Sequence, residues 1–309
     1  MIYTVTLNPA IDKTAVITNF TAGRVNRVET LREDAGGKGI NVSKCLKALG
    51  TESVAVLLLA GDAGKHLAGL LEQEGLQLLC GQAQGQTRTN LKIVAPGLGQ
   101  NTDINEPGPK ADEETLGALL DELCEKIAAD DIVVLSGSLP VGAPADTYRR
   151  WTETLQNKGA KVFLDADGPA MAEGVKGKPY LVKPNETELS RLLGKPMETE
   201  EQILAGGKAL LEMGVARALI SLGGEGAYFM EKDDVYRAKS PRVEVRSTVG
   251  AGDSVVAAMA YGLQEKLPLE EALLLAMAMG AASVMQTGTQ APDKELVSRL
   301  YRQAEVTKA

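Results

Sequence analysis

The chain is poor in the side chains on which several common catalytic designs depend. It has a single histidine, His66, and three cysteines, Cys45, Cys80 and Cys124. An odd number of cysteines without metal-like spacing gives no disulfide framework or zinc site and is typical of a reducing cytosol. His66 lies inside a predicted helix, which argues against a Ser–His or Cys–His pair. A general base must therefore be a carboxylate, a lysine or a tyrosine.

Two nucleotide-binding signatures are missing as well. No segment has the Gly-x4-Gly-Lys-Ser/Thr spacing of a P-loop, and none has the Gly-x-Gly-x-x-Gly spacing of a dinucleotide-binding turn. The first absence excludes a P-loop kinase, and the second removes support from the usual dinucleotide fold.

Positive charge and long apolar runs are also scarce. The net charge of −8 would repel nucleic acid and anionic membranes, so a phosphorylated ligand needs a locally basic pocket. The longest apolar run, Ala272–Met285, has Ser283 as its one polar residue and is too short to span a bilayer, which predicts a buried helix. The start of the chain lacks a basic region, so no signal peptide and a cytoplasmic location are expected.

What the sequence does contain is an alternation of short apolar strands with helices. This pattern predicts an α/β fold with a parallel sheet covered on both faces, whose ligands lie at the carboxyl ends of the strands. The predicted strands are residues 2–7, 54–61, 132–135, 161–165, 180–183 and 218–222. The helices between them include residues 63–74, 113–129, 145–157, 186–193 and 200–213. The polar residues at the strand ends are Asn8, Asp12, Ser136, Ser138, Asp165, Lys183, Asn185 and Ser221.

Four further strands fall outside this alternation. Residues 14–20 and 28–34 read as strands that arrive before any helix, and residues 89–95 and 102–105 form a second pair joined by a Gly/Pro-rich turn. They predict a separate small sheet, inserted from about residues 12–35 and 88–106 into a single domain that spans residues 1–309.

A glycine-rich turn near the end of the chain predicts an anion site. Residues 243–245 have strand character and lead into Ser247-Thr248-Val249-Gly250-Ala251-Gly252-Asp253-Ser254. A helix-period run then follows, with apolar residues at 256, 259, 260 and 263. Such a turn leaves the first N–H groups of the helix exposed at the positive end of its dipole. Asp253 lies at the mouth of this site, although an ordinary helix-start aspartate is the alternative.

Seven segments in register resemble the PfkB carbohydrate kinases, the ribokinase-like family. The two signature regions are Gly36-Gly37-Lys38-Gly39-Ile40-Asn41 and Ser247–Asp253. The other five segments, in family order, begin at Asn8, Thr87, Ser136, Lys183 and Ser221. The resemblance implies a three-layer sandwich with a mostly parallel central sheet and a small β-sheet lid. It also implies MgATP as donor and a sugar hydroxyl as acceptor. The lid is expected to help form a homodimer.

The resemblance also implies roles for individual residues. Asp253 would be the general base, and the backbone of Gly250, Ala251, Gly252 and Asp253 would stabilise the transferred phosphoryl group. Glu188 would organise Mg²⁺ through water, with a plain surface-helix glutamate as the alternative; for Lys38 the alternative is a solvated helix-start lysine. The expected substrate-binding residues are Asp12, Arg24, Gly37, Lys38, Asn41, Arg88 and Ser138, with Arg24 and Arg88 on the substrate phosphate. The expected nucleotide-binding residues are Lys183, Asn185, Ser221, Gly223, Gly226, Thr248 and Ala281.

One departure from the common family pattern narrows the expected substrate. Ser247-Thr248 stands where most members have Asp-Thr, and this is similar to the phosphofructokinase branch, whose acceptors already carry a phosphate. Asp103–Gly108 is similar to the fructose 1-phosphate kinases of that branch rather than to tagatose-6-phosphate kinases. The expected reaction is transfer from ATP to fructose 1-phosphate, giving fructose 1,6-bisphosphate. Tagatose 6-phosphate is the alternative acceptor, and a non-catalytic sugar-phosphate or nucleotide sensor is the alternative of a different class.

Overall fold

Short strands and amphipathic helices alternate through most of the computed structural model, which describes residues 1–286, 288 and 290–308. The strands are β1 (Ile2–Thr6), β2 (Ala10–Val16), β3 (Thr30–Gly36), β4 (Ser53–Leu59), β5 (Gln77–Gln82), β6 (Arg88–Ala95), β7 (Gln100–Asn105), β8 (Ile132–Ser136), β9 (Lys161–Asp165), β10 (Leu181–Val182), β11 (Arg217–Ser221), β12 (Ala227–Glu231), β13 (Asp234–Lys239) and β14 (Glu305–Lys308). The helices are α1 (Lys38–Ala48), α2 (Gly61–Gln73), α3 (Glu113–Lys126), α4 (Thr147–Asn157), α5 (Gly168–Gly174), α6 (Glu186–Leu193), α7 (Glu200–Glu212), α8 (Ala251–Gln264), α9 (Leu269–Val284) and α10 (Lys294–Tyr301).

The main sheet has ten strands in the order β14-β13-β12-β11-β10-β9-β8-β1-β4-β5. Neighbouring strands from β11 to β5 are parallel, and β12, β13 and β14 extend the sheet as antiparallel strands. The carboxyl ends of the parallel strands, from β11 to β5 in this order, therefore lie at one edge of the sheet. Ligands of open α/β sheets bind at that edge.

Both faces of the main sheet are buried, because side chains along each strand point alternately to two cores. On β8, for example, Val133 and Leu135 join the core under α3 to α7, whereas Ile132 and Val134 join the core under α1, α8, α9 and α10. The three-layer sandwich expected from the sequence is confirmed. The apolar run at the end of the chain forms α9, most of which is buried in the second core. In the part of the chain that the structure describes, no helix is long and apolar enough to cross a membrane.

The second sheet is the predicted lid, with the strand order β3-β2-β6-β7. Paired residues on neighbouring strands point to the same face, so the register produces rows of side chains across the sheet. One such row is entirely polar and consists of Asp34, Asp12, Asn90 and Asn105. Arg88 lies two residues before Asn90 on β6 and therefore projects from the same face.

Some predicted elements differ from the structure. The lid strands β2 and β3 begin and end several residues away from residues 14–20 and 28–34, so Asp12 lies within a strand. Residues 243–245 are not a strand: Pro241 lacks an N–H, and the backbone N–H groups of Arg246 and Ser247 donate to the end of α9 at Val284. The sequence reading also missed β5, α5 and the antiparallel strands β12 to β14.

The start of α1 packs so closely on β1 that only glycine fits at position 39. A Cβ on Gly39 would lie 2.5 Å from Thr6 Oγ1 and 2.7 Å from the Val5 carbonyl oxygen. We expect Gly39→Ala to lower the free energy of unfolding by about 1–3 kcal/mol, as overpacking does. Gly117→Ala in α3 is the matched control, since a Cβ there has no neighbour within 4 Å. It should be neutral or stabilising by up to about 1 kcal/mol. Chemical denaturation of both variants measures the difference, and equal effects would contradict the packing account.

Candidate active site

Two helices, α1 and α8, begin at the carboxyl edge of the main sheet and meet there. Thr6 Oγ1, at the end of β1, accepts a hydrogen bond from Ile40 N at 3.1 Å and so fixes the start of α1 over that strand. Asn41 Nδ2 then donates to Asp253 Oδ2 at 2.7 Å, which joins the first turn of α1 to the first turn of α8. Two of the predicted site residues, 212 positions apart, are thus in direct contact.

The start of α8 has the geometry of an anion site. Gly250, the residue before the helix, has φ 82°, a left-handed conformation that favours glycine. No side chain of the described residues caps this end, and the first helical hydrogen bond is donated by Ser254 N to Gly250 O at 2.9 Å. The N–H groups of Gly252 and Asp253 therefore point out of the helix end, where they can receive an anionic oxygen.

Asp253 is almost completely buried at this helix end, with 5% of its surface exposed. Burial disfavours its charged form, and the negative charge of Asp165 acts in the same direction. These effects outweigh the Asn41 hydrogen bond and the charges of Lys38 and Lys183, and they raise the pKa of Asp253 to about 6. A carboxylate with such a pKa is a stronger base than an ordinary aspartate and is still ionised at neutral pH.

Asp165, which the sequence placed at a strand end without a role, connects two predicted site residues. Its Oδ1 lies 3.1 Å from Lys38 Nζ and 3.4 Å from Lys183 Nζ. Burial would raise the pKa of Asp165, but the two lysines outweigh it and hold the pKa below its ordinary value. Burial would lower the pKa of Lys38, but Asp165, Asp253 and Glu188 outweigh it and keep that pKa above its usual range. Lys38 is therefore charged, and Asp165 holds both lysines at the sheet edge.

The lid contributes a second set of polar groups. Asn90 Nδ2 donates to Asp12 Oδ1 at 2.9 Å, and burial is the main cause that raises the pKa of Asp12. Arg88 donates from Nε and Nη2 to the Asn8 carbonyl oxygen, at 3.2 and 3.0 Å, and from Nη1 to the Glu106 carbonyl oxygen at 3.5 Å. These bonds use three of the five N–H donors of the guanidinium group.

Asn8, another residue without a predicted role, ties the lid to the main sheet. Its Nδ2 lies within hydrogen-bond distance of the Pro107 carbonyl oxygen, Ser138 Oγ and the Leu139 carbonyl oxygen, at 3.2, 3.3 and 3.4 Å. Its own carbonyl oxygen accepts the two bonds from Arg88. Ser138, a predicted substrate residue, is therefore connected to the lid residue Arg88 through Asn8.

Buried polar atoms without partners concentrate in this region. Six such side-chain atoms occur in the described part of the chain, and five belong to residues already named or next to them: Asn8 Oδ1, Asn41 Oδ1, Asn90 Oδ1, Ser136 Oγ and Asp165 Oδ2. Unpaired buried acceptors are rare in folded proteins, because each one costs about 1–3 kcal/mol. The protein alone does not satisfy these atoms, so a polar ligand or water can bind to them.

The predicted nucleotide residues lie along the neighbouring strand ends. Asn185 and Ser221 form an isolated parallel bridge, and Gly223 follows in an exposed turn. Thr248 is exposed just before the start of α8. Position 226 requires glycine for a structural reason, because a Cβ there would lie 2.0 Å from the Ala238 carbonyl oxygen. Ala281 is buried in the core shared with α8, which gives it a packing role. Its predicted contact with adenine stays a prediction.

Glu188 forms a capping box with Asn185 at the start of α6. Its Oε2 accepts from Asn185 N, and its own N–H donates to Asn185 Oδ1, both at 2.8 Å. In the described residues no three His, Cys, Asp or Glu side chains converge as a metal cage. Mg²⁺ commonly binds through one or two carboxylates, waters and substrate phosphates rather than a protein cage. One partly exposed carboxylate beside the nucleotide residues therefore fits a phosphate-bound Mg²⁺.

Of the predicted substrate residues, Gly37 lies at the site and Arg24 does not. Gly37 precedes α1 with φ 137° and lies against Thr6, at the site. Arg24 is exposed in the loop between β2 and β3, beyond their last pair, Val16 and Thr30. The distance from Asp12 grows by about 3.3 Å for each residue along the strand toward that end of the hairpin. The structure does not bring Arg24 to the other residues of this chain's site.

Residues 5–296 match the family model described as pfkB family carbohydrate kinase. The chain belongs to this family. The 1-phosphofructokinase of Bacillus subtilis (strain 168) is 37% identical over 310 residues, covering 100% of both chains. That of Xanthomonas campestris pv. campestris is 40% identical over 281 residues, covering 89% of this chain and 88% of the relative. Among solved structures, phosphofructokinase-2 from Escherichia coli in complex with potassium is 30% identical, covers 98% of both chains and has a TM-score of 0.93. Its tetrameric inhibited form has a TM-score of 0.91.

As a pfkB family kinase, the protein should show a rate that follows the ionisation of Asp253. We expect kcat/KM for the acceptor to rise with pH and to reach half its plateau near pH 6, the pKa of Asp253. Asp253→Asn should lower turnover by about 10²–10⁴-fold and abolish this acid limb.

The same variant should be more stable than the wild type above pH 6. The folded pKa of about 6 exceeds the ordinary 3.8, so the folded state binds the proton more tightly and loses stability as pH rises between these values. Asp253→Asn removes that loss, which is on the order of 3 kcal/mol. Thermal unfolding should show a higher Tm for the variant at pH 8 and no gain at pH 4. A wild-type Tm equal to or above that of the variant at pH 8 would contradict the assignment.

Glu188→Gln separates the two roles of this residue, because glutamine can also complete a capping box. We expect an almost unchanged Tm and a higher Mg²⁺ concentration for half-maximal rate, since the carboxylate charge is gone. A Mg²⁺ titration at fixed ATP measures this. If the Mg²⁺ requirement is the same in both proteins, Glu188 is only a capping residue.

Proposed function

We propose that the chain transfers the γ-phosphoryl group of ATP to fructose 1-phosphate and forms fructose 1,6-bisphosphate. The observation that carries this proposal is the buried Asp253 carboxylate at the uncapped start of α8, held by Asn41. It places a base and an anion site at one point, which is what phosphoryl transfer to a hydroxyl requires of a protein. The choice of acceptor is supported by the names of the full-length relatives and by Arg88 on the lid.

On the acceptor side, Asp253 removes the proton of the sugar hydroxyl as it attacks. We propose that Asn41, which contacts Asp253, holds the other hydroxyls together with Asp12, Lys38 and the backbone at Gly37. Arg88 still has two N–H donors, enough for a bidentate contact with the phosphate already on the sugar. Holding that phosphate fixes the far end of the sugar and so aims its free hydroxyl at Asp253.

On the donor side, the N–H groups of Gly252 and Asp253 are suited to stabilise the charge that develops on the transferred group. ATP supplies the phosphoryl group, and its Mg²⁺ neutralises charge on the phosphates. Lys183 and Asn185 would contact those phosphates, with Glu188 near the metal ion. Lys183 is well placed for this, since a Cβ on Gly252 would lie 3.0 Å from Lys183 Nζ.

We also propose that the lid forms a homodimer contact. Large apolar side chains are exposed on it, including Val25 at 84%, Leu31 at 55% and Ile104 at 52%. Large apolar side chains left exposed on a soluble protein can form part of an interaction surface. Leu31→Asp and Ile104→Asp should shift the protein toward monomer in analytical ultracentrifugation, and an unchanged sedimentation coefficient would reject the lid as the contact.

A coupled ADP-release assay with several acceptors tests the reaction itself. Fructose 1-phosphate should give the highest kcat/KM, compared with fructose 6-phosphate and tagatose 6-phosphate. A preference for tagatose 6-phosphate would replace the acceptor and keep the mechanism. Release of no ADP with any acceptor, together with tight binding of one, would favour the non-catalytic sensor.

Arg88→Ala tests how the acceptor phosphate is read. Loss of a bidentate, charge-assisted contact should raise KM for fructose 1-phosphate by about 10- to 100-fold, while KM for ATP changes little. Arg88→Lys should restore only part of the loss, because a point charge lacks the planar fork. Arg150→Ala is the control: it removes a surface guanidinium that pairs with Glu113 and Asp146, and it should leave both KM values unchanged. If Arg88→Ala changed only the KM for ATP, the proposed contact between Arg88 and the acceptor phosphate would be wrong.

A further inference from the structure

The carboxylate of Asp165 contacts Lys38, a predicted sugar-binding residue, and Lys183, a predicted nucleotide-binding residue. We propose that Asp165 is a positioning residue that keeps Lys38 and Lys183 away from Asp253 and aims one at each reactant. The proposal rests on the function proposed above, since it assigns Lys38 to the sugar and Lys183 to the nucleotide phosphates.

Asp165 contacts two lysines from different elements. It is the last residue of β9 and is 1% exposed. Its Oδ1 contacts both Lys38, at the start of α1, and Lys183, at the end of β10. Its other oxygen, Oδ2, is buried and has no hydrogen-bond partner. Asp165 and Lys183 are buried while Lys38 is partly exposed, so truncating Asp165 would leave the Lys183 ammonium group buried without its partner carboxylate.

The charges of the cluster do not cancel. One carboxylate holds two ammonium groups, so the triad carries a net charge of about +1 at neutral pH. Lys183 borders the anion site at Gly252, 3.0 Å from where a Cβ would lie. Lys183 therefore presents its ammonium group at the position that an incoming phosphoryl group must occupy, in a chain whose net charge is −8.

Asp253 competes with Asp165 for the same two lysines. Both lysines act on Asp253 electrostatically, yet its hydrogen-bond partner is the neutral Asn41 at 2.7 Å. A lysine in contact with Asp253 would lower the pKa of that carboxyl by about one to three. The residue would then be a weaker base. By engaging both lysines, Asp165 leaves Asp253 paired with a neutral amide.

Several ionisable side chains act on Asp253 or on its lysines. They are Asp165 on β9, Lys38 and Cys45 on α1, Lys183 after β10, and Glu188 on α6. Burial raises the pKa of Cys45 to about 12, so its thiol stays neutral throughout the range of an assay. Among these groups, Asp165 is the one whose charge raises the pKa of Asp253, so its removal should lower that pKa.

The first test compares Asp165→Asn, which keeps the shape and removes the charge, with Lys38→Met and Lys183→Met. We expect Asp165→Asn to raise KM for both fructose 1-phosphate and ATP by about tenfold or more. Lys38→Met should raise only the KM for the sugar, and Lys183→Met only the KM for ATP. Calorimetric Kd values for fructose 1-phosphate and for a non-hydrolysable ATP analogue should follow the same pattern without turnover.

The second test is the pH profile, which a merely structural residue would not move. In Asp165→Asn the acid limb of kcat/KM should shift from about pH 6 to about pH 5 or below, because a negative charge is removed and the freed lysines can approach Asp253. Asp131→Asn is the control: Asp131 is another buried carboxylate, at the opposite edge of the sheet, where its Oδ2 accepts from Ala128 N at 2.8 Å. It should lower Tm and leave both KM values and the acid limb unchanged.

Two outcomes would overturn the proposal: an acid limb that stays near pH 6 in Asp165→Asn, or a rise in only one of the two KM values. Failure of the proposed function appears separately, because the wild type would then release no ADP with fructose 1-phosphate. In that case the sugar arm is run with whichever of fructose 6-phosphate or tagatose 6-phosphate is turned over. The expected pattern across the three variants is the same.

Discussion

The site depends on one hydrogen bond, from Asn41 Nδ2 to Asp253 Oδ2. It joins the first turns of two helices that start at the same edge of the main sheet, so two helix N-termini meet at one point. A buried carboxylate needs a partner that satisfies it without neutralising its basicity, and a neutral amide does both. The close approach of α1 to β1 at Gly39, together with the Thr6–Ile40 bond, fixes the position from which Asn41 reaches across.

The fold was predictable where local pattern and long-range packing agree. Apolar strands separated by amphipathic helices leave few alternatives to a covered parallel sheet, and β9 and α6 were predicted with the bounds that the structure shows. The predictions failed for segments whose structure depends on which other strand they pair with. β5 and the hairpin of β12 and β13 carry polar residues that blur the alternation. Residues 243–245 have strand composition, but the end of α9 takes the neighbouring backbone hydrogen bonds. A strand is defined by its neighbour, and a single segment does not reveal that neighbour.

The candidate site was predictable in the part that resides in contiguous motifs. The turn before α8 and the start of α1 can be recognised in the sequence by their glycines. Two of these, Gly37 and Gly250, adopt backbone conformations that other residues avoid. Asp165, Asn8 and Asn90 carry no such local mark. An aspartate after a strand or an asparagine in a lid strand is common, and their roles arise from contacts that span about 80 to 130 residues, such as Lys38–Asp165 and Asn90–Asp12. Register and strand order create these contacts, and neither can be read from a single segment.

The lid links recognition of the acceptor to protection of the base. Asp12, Asn90 and Arg88 project from one face of the lid, and Asn8 connects that face to the main sheet. Asn41 Oδ1 and Asn90 Oδ1 are buried and have no hydrogen-bond partner among the described residues. A sugar hydroxyl can satisfy such an acceptor and a phosphate can engage Arg88, so in the proposed reaction the acceptor binds to the lid and to the sheet edge at once. Asp253 is 5% exposed, so the base meets a bound sugar hydroxyl more readily than bulk water, which would hydrolyse the donor.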